Sequence, residues 1–281
     1  MSTSTRQDGP ENCVREDPPK TWEEARDQLV SAASGGGPVY FRGQSRAEWR
    51  LESRFGRLLK VLAEQYNWSR GEVENKREEL QRNLLEQFRD ALAWIPGAPG
   101  FSKDQDVEEN EFVALAQHYG LPTPLLDWTR SPYIAAFLAF DGDKTTVFHS
   151  HQKVAIWVLD ARALETLLSN AHKAPLDVLR RERRPRLDIV QIRGNANRRM
   201  VYQEGLFTRA FMVEDDIENY LQSRSRYAPR TVLTKIVLPG GEQEKVLRDL
   251  SLMAITPVAL MNDADGAAAT AFNRVIRFGL H

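Results

Sequence analysis

Two periods of apolar and polar positions run through this chain, and the switches between them outline its elements. The run 154–159 (VAIWVL) is continuously apolar and β-branched, and 231–238 (TVLTKIVL) has the length and make-up of a second long strand. Residues 39–41 form a short apolar strand ended by Arg42-Gly43, and the stretches 125–128 (LLDW) and 206–211 (LFTRAF) fit two more. Elsewhere the period is helical. Leu80, Leu84, Leu85, Phe88 and Leu92 place one apolar stripe on a helix over about 72–94, and Phe112, Leu115, Ala116 and Tyr119 share a face of another. Thr21 and Glu24, then Ser69 and Glu72, have the spacing of capping boxes. Ser131-Pro132 opens an apolar helix through Phe140. Asp160 caps a helix to about 169, and the pattern predicts further helices over 57–66, 215–224, 242–253 and 265–277.

These strands and helices intermix without strict alternation. That favours an α+β fold with a mixed or split sheet over a doubly wound α/β fold. A chain of 281 residues with 42% hydrophobic content supports one main domain with additions. Residues 1–19 are polar and Pro-containing, and are expected to be a disordered tail. Residues 20–281 then form a single domain, with the helices of about 57–119 inserted between its first two core strands.

Composition excludes several classes. The single cysteine, Cys13, forbids an internal disulfide, and no Cys/His spacing resembles a zinc site, so no metal is expected. The polar first residues predict no secretory signal, and the apolar run 134–140 is too short to span a bilayer. The expectation is a cytoplasmic protein with no membrane association. A net charge of -1 does not call for a polyanionic partner by itself. The segment 180–199 departs from that neutrality, with eight Arg, no Lys and two acids. Arg180, Arg181, Arg183, Arg184 and Arg186 suit bidentate phosphate contact and are candidates for nucleic-acid binding. A solvated basic loop explains them equally well.

Candidate chemistry concentrates in three blocks. In the first, Arg42 can clamp a phosphate or pyrophosphate, and Gly43 lets a ligand or another backbone approach. In the second, His118 closes a helix as a potential proton shuttle, and Asp127 lies in an apolar setting where a buried charge would need Arg42, Arg130 or His118 as partner. Trp128 can stack on a flat ring or fill the core, and Thr129 precedes a helix start that could receive an anion or be simply capped. In the third, Gln203 and Glu204 are adjacent, so only one of them can face a site if the segment is extended.

Phe41-Arg42-Gly43, the segment 117–129 (QHYGLPTPLLDWT) and 203–207 (QEGLF) together resemble the FRG domain family, named for its Phe-Arg-Gly motif. The resemblance runs from about 20 to 277. One position departs from it: Pro124 stands where the family usually has Arg, so any role of that Arg falls to another residue, such as Arg130 or the 180–199 cluster. A more distant similarity is to ADP-ribosyltransferases. These carry an Arg or His ending a first strand, a Ser/Thr-bearing strand followed by an Ala/Phe-rich helix, and a late acidic or polar residue on a strand. The three blocks fall in that order here. The resemblance implies an ADP-ribosyltransferase-like fold with NAD as substrate. It also implies a bacterial setting as a toxin or anti-phage effector, with a nucleic-acid or protein acceptor. Arg42 and Gly43 would bind NAD with Trp128 and Thr129, and Glu204 or Gln203 would act on the ribose, with Asp127 or His118 taking the proton otherwise. Two alternatives stand beside this one: a non-catalytic nucleotide or nucleic-acid binding module, and a hydrolase or nuclease built on His118 and Asp127.

Overall fold

The computed structural model describes residues 12–18, 20–96, 109–141, 151–172, 186–192, 201–212 and 216–279. They form a mixed α+β fold around one seven-stranded sheet with the order β1-β7-β4-β2-β3-β6-β5. The strands are β1 (Val14–Asp17), β2 (Val39–Gln44), β3 (Leu125–Thr129), β4 (Lys153–Asp160), β5 (Arg186–Val190), β6 (Gly205–Phe211) and β7 (Leu233–Pro239). The β1–β7 pair is parallel and every other pair antiparallel.

The helices are α1 (Trp22–Ser34), α2 (Arg54–Tyr66), α3 (Arg70–Leu92), α4 (Glu109–His118), α5 (Pro132–Asp141), α6 (Ala161–His172), α7 (Ile217–Gln222), α8 (Gln243–Leu252), α9 (Pro257–Met261) and α10 (Ala264–Phe272). Both expected capping boxes form, at Thr21/Glu24 on α1 and Ser69/Glu72 on α3. None of the helices is long and apolar enough to cross a membrane, among the described residues.

Side-chain alternation along the central strands divides the core into two layers. Tyr40, Trp128 and Trp157 face one layer, which α6 and α7 cover. Phe41, Ile156 and Ile236 face the other, filled by α1, α5 and α8. β4 sits between β2 and β7 and is buried from Val154 to Leu159, which is why its sequence is continuously apolar rather than alternating.

The structure departs from the sequence pattern in four places. The expected disordered tail contains β1, whose backbone pairs with β7, and Cys13 is fully buried beside it with its thiol donating to the Leu221 carbonyl at 3.1 Å. Val14-Arg-Glu-Asp17 is too short and too charged to announce a strand, because an edge strand needs little apolar surface of its own. Residues 186–190 of the Arg-rich segment form edge strand β5. β2 does not end at Phe41 but continues to Gln44, so Arg42 and Gly43 lie inside a strand paired along its whole length with β4. The final helix, expected over 265–277, runs as α10 and widens into a π turn over Asn273–Arg277, and a short helix that the pattern does not announce, α9, precedes it and ends at the left-handed residue Asn262.

That closing turn is anchored from inside. The Arg277 guanidinium donates to Asp141 at 2.9 Å and to the Asn273 side-chain oxygen at 2.7 Å. The side chains of Arg277 and Asp141 are 3% and 0% exposed.

Candidate functional site

The three sequence blocks converge on three neighbouring strands, β2, β3 and β6, with the Gln203-Glu204 pair just before the last of them. Phe41 pairs with Thr129, and Thr129 pairs in turn with Gly205. Residues separated by some 160 positions of chain are thereby lined up across the sheet.

β2 and β3 meet only at Phe41 and Thr129, after which the two strands diverge. The Arg42 side chain bridges this divergence. Its Nη1 donates to the Asp127 main-chain carbonyl at 2.7 Å and stands 3.7 Å from the Asp127 carboxylate. Its Nε is buried with no hydrogen-bond partner among the described residues. Burial lowers the guanidinium's hold on its proton, Arg57 adds to that and Asp127 opposes it. An arginine stays charged regardless, so the site carries a partly desolvated cation with an unused donor.

Asp127 is not the buried acid that Leu126 and Trp128 suggest: 62% of its side chain is exposed. Leu126 and Trp128 point into one core layer, and strand alternation sends Asp127 to the other side. There α4 meets it. Gln117 Nε2 donates to Asp127 Oδ1 at 2.7 Å, and Gln117 Oε1 accepts from the Thr123 hydroxyl. The sequence draws attention to His118, but Gln117 is the α4 residue that holds Asp127. The signal was available: Gln117 lies four residues after Val113, which packs on Leu125 of β3. His118 is exposed, with its ring edge-on to Tyr119 at 5.2 Å.

Three of the expected ligand contacts have structural partners instead. Trp128 is 3% exposed, and its indole N–H donates to the Thr208 hydroxyl at 3.0 Å, which encloses the ring that was expected to stack on a ligand. Gly43 admits the backbone of α5, not a ligand. Thr129 is buried, donates to the Gln203 carbonyl at 2.6 Å and accepts from the Ser131 N–H at 3.1 Å. The anion site imagined at the start of α5 is thus served by side chains, with Ser131 Oγ accepting from the Ile134 N–H.

Thr129 also fixes the third block. Gln203 and Glu204 precede β6 rather than lying on it, and Glu204 adopts a left-handed conformation with φ 47°. Its carbonyl accepts from the Arg130 N–H at 3.2 Å. The Glu204 side chain is exposed and Gln203 half-buried. The turn frees both side chains from the face alternation expected of a strand.

Of the basic cluster, Arg186 opens β5, pairs with Asp188 at 2.8 Å and lies over the Phe211 ring. Arg180, Arg181, Arg183 and Arg184 lie outside the described residues. No group of three or more His, Cys, Asp or Glu suited to a metal ion occurs among the described residues.

Residues 37–147 match the family model of the FRG domain. Over this stretch the chain is similar to the FRG domain. The match spans β2, the helices α2 to α4, β3 and α5, so it contains the Phe-Arg-Gly block and the Asp127-Trp-Thr129 block, while the Gln203-Glu204 block lies beyond it. Neither curated proteins nor solved structures yield a match to the chain.

Proposed function

We propose that this protein is an ADP-ribosyltransferase-like or otherwise NAD-consuming enzyme whose site lies where β2, β3 and β6 run side by side. One observation supports the reading: the Phe41–Thr129–Gly205 alignment brings the first two blocks onto neighbouring strands and the Gln203-Glu204 turn to the start of the third, in the order of the three ADP-ribosyltransferase motifs. Arg42 supplies a cation with a spare buried donor for the pyrophosphate. Glu204 supplies an exposed carboxylate on a turn held by Thr129 and Arg130.

The chemistry follows from charge. As the bond between ribose C1′ and the nicotinamide nitrogen breaks, its electron pair leaves with nicotinamide and positive charge builds on the sugar. The Glu204 carboxylate stabilises that charge, then takes the proton of the water or acceptor that bonds to C1′. Thr129 positions the Gln203-Glu204 turn and does not contact NAD. In this reading the acceptor is a protein or nucleic acid, and the setting is bacterial conflict, as a toxin or anti-phage effector.

The test is nicotinamide release and label transfer from NAD. Glu204→Gln should slow both by roughly a hundred-fold or more. Absence of release, transfer and NAD-induced thermal stabilisation in the unsubstituted protein contradicts the proposal. A non-catalytic nucleotide-binding module is the second reading, favoured by the unpartnered Arg42 Nε, which needs an acceptor whether or not chemistry follows.

A further inference from the structure

We infer that Asp127 is a built-in competitor for the anionic ligand of Arg42: phosphate-bearing ligands bind by displacing its carboxylate, which Gln117 holds to one side. The inference rests on the reading above that Arg42 anchors a phosphate group.

The geometry separates two roles within one residue. The Asp127 carbonyl, at 2.7 Å, is what fixes the Arg42 guanidinium. A main-chain acceptor survives any substitution at this position. The carboxylate, at 3.7 Å, is beyond hydrogen-bond reach and contributes only charge. It is also the more solvated of the two partners, with 62% of its side chain exposed against 21% for Arg42. A carboxylate that wet costs little to move, whereas a phosphate offers several oxygens to the unpartnered Nε and the rest of the guanidinium fork.

Gln117 explains why the carboxylate does not close on Arg42. Its amide holds Asp127 Oδ1 at 2.7 Å, and its own oxygen is held by Thr123. Thr123 is 2% exposed, so this tether has a buried anchor. Its hydroxyl also accepts from the Leu125 N–H at the start of β3, and its carbonyl accepts from the Phe55 N–H in the first turn of α2. The same turn carries Arg57, whose charge is felt at Arg42 and whose Nη1 donates to the Glu52 carbonyl at 2.8 Å. A second guanidinium charge thus acts on Arg42 beside the one exposed carboxylate, a balance that favours a multiply charged anion over a single side-chain acid.

The experiment is titration of inorganic pyrophosphate into the full chain by calorimetry at fixed ionic strength. Asp127→Asn keeps the carbonyl and an acceptor for Gln117 but removes the competing charge, so pyrophosphate should bind roughly two- to ten-fold more tightly, the scale of one partly exposed ion pair. Gln117→Leu frees the carboxylate to close on Arg42 and should weaken binding, and the double variant should return to the tighter value. Affinity unchanged or weakened in Asp127→Asn overturns the inference, as does absence of pyrophosphate binding in both proteins. If Gln117→Leu does not fold, the Asp127→Asn comparison decides alone. Nicotinamide release measured on the same proteins separates the two proposals. Tighter pyrophosphate binding without release by any protein leaves this inference standing and removes the enzymatic reading. Release with no tightening in Asp127→Asn does the reverse.

Discussion

A Cβ atom on Gly43 would lie 2.0 Å from the carbonyl oxygen of Ala135 and 2.5 Å from the Ala139 nitrogen. Helix α5 is therefore laid directly on β2 at the glycine of the Phe-Arg-Gly motif, backbone against backbone. The glycine is needed for this contact, because neither neighbour is a side chain that could turn away. Gly43→Ala should cost roughly 3 kcal/mol or more in chemical denaturation, at or above the usual range for overpacking. A fully stable Gly43→Ala protein would show that α5 can move off the sheet.

Thr129 ties β3 to the turn before β6 through the Gln203 carbonyl. Thr129→Val keeps the shape but leaves that carbonyl and the Ser131 N–H without their partner, at a cost of about 1–3 kcal/mol. NAD turnover should fall further than stability explains, and Thr129→Ser should restore it. Failure of serine to rescue would mean that the methyl group, not the hydroxyl, holds the turn.

The Arg277–Asp141 pair closes the C-terminal end of the fold from within. Arg277→Met takes the guanidinium away from a buried carboxylate that also accepts from the Asn273 amide, and should cost about 3–5 kcal/mol by denaturant titration. A loss below 1 kcal/mol would mean that water reaches Asp141 in the variant, or that its carboxyl takes up a proton cheaply.

Glu218 gives a pH signature of opposite sign to the usual carboxylate. Burial raises its pKa above the ordinary 4.5, against the pull of the Leu51 N–H and Arg50. The folded state therefore holds this proton more tightly than the unfolded chain. Its contribution is fully present below about pH 4.5 and is lost as pH rises through the raised folded value. Glu218→Gln retains an oxygen for the Leu51 N–H and removes the titration. Its Tm relative to the unsubstituted protein should rise between pH 4 and pH 7, and a fall over that interval would contradict the assignment.

Much of this arrangement was legible in the chain, and what was not has physical causes. Long strands such as β4 and β7 and the two capping boxes announce themselves, because local pattern and tertiary role agree there. β1 did not, since its stability comes from pairing with β7 rather than from its own residues. The three motif blocks could be seen, but their juxtaposition could not, because it depends on the order of the strands. Trp128 and Thr129 looked like ligand contacts because indole and hydroxyl groups serve a site and a core equally well. Only their partners, Thr208 and the Gln203 carbonyl, decide between the two. Gln117 was hidden beside a more conspicuous histidine, although helical phase already turned it toward β3.

The central claim is that one NAD molecule engages both Arg42 and the Gln203-Glu204 turn. A crystal structure of the chain bound to a non-cleavable NAD analogue tests it most directly. The account predicts pyrophosphate oxygens within hydrogen-bond reach of the Arg42 guanidinium, the Asp127 carboxylate displaced, and the nicotinamide-bearing ribose against Glu204 or Gln203. An analogue bound away from β2, β3 and β6, or contacting Arg42 while its ribose points away from that turn, would contradict it.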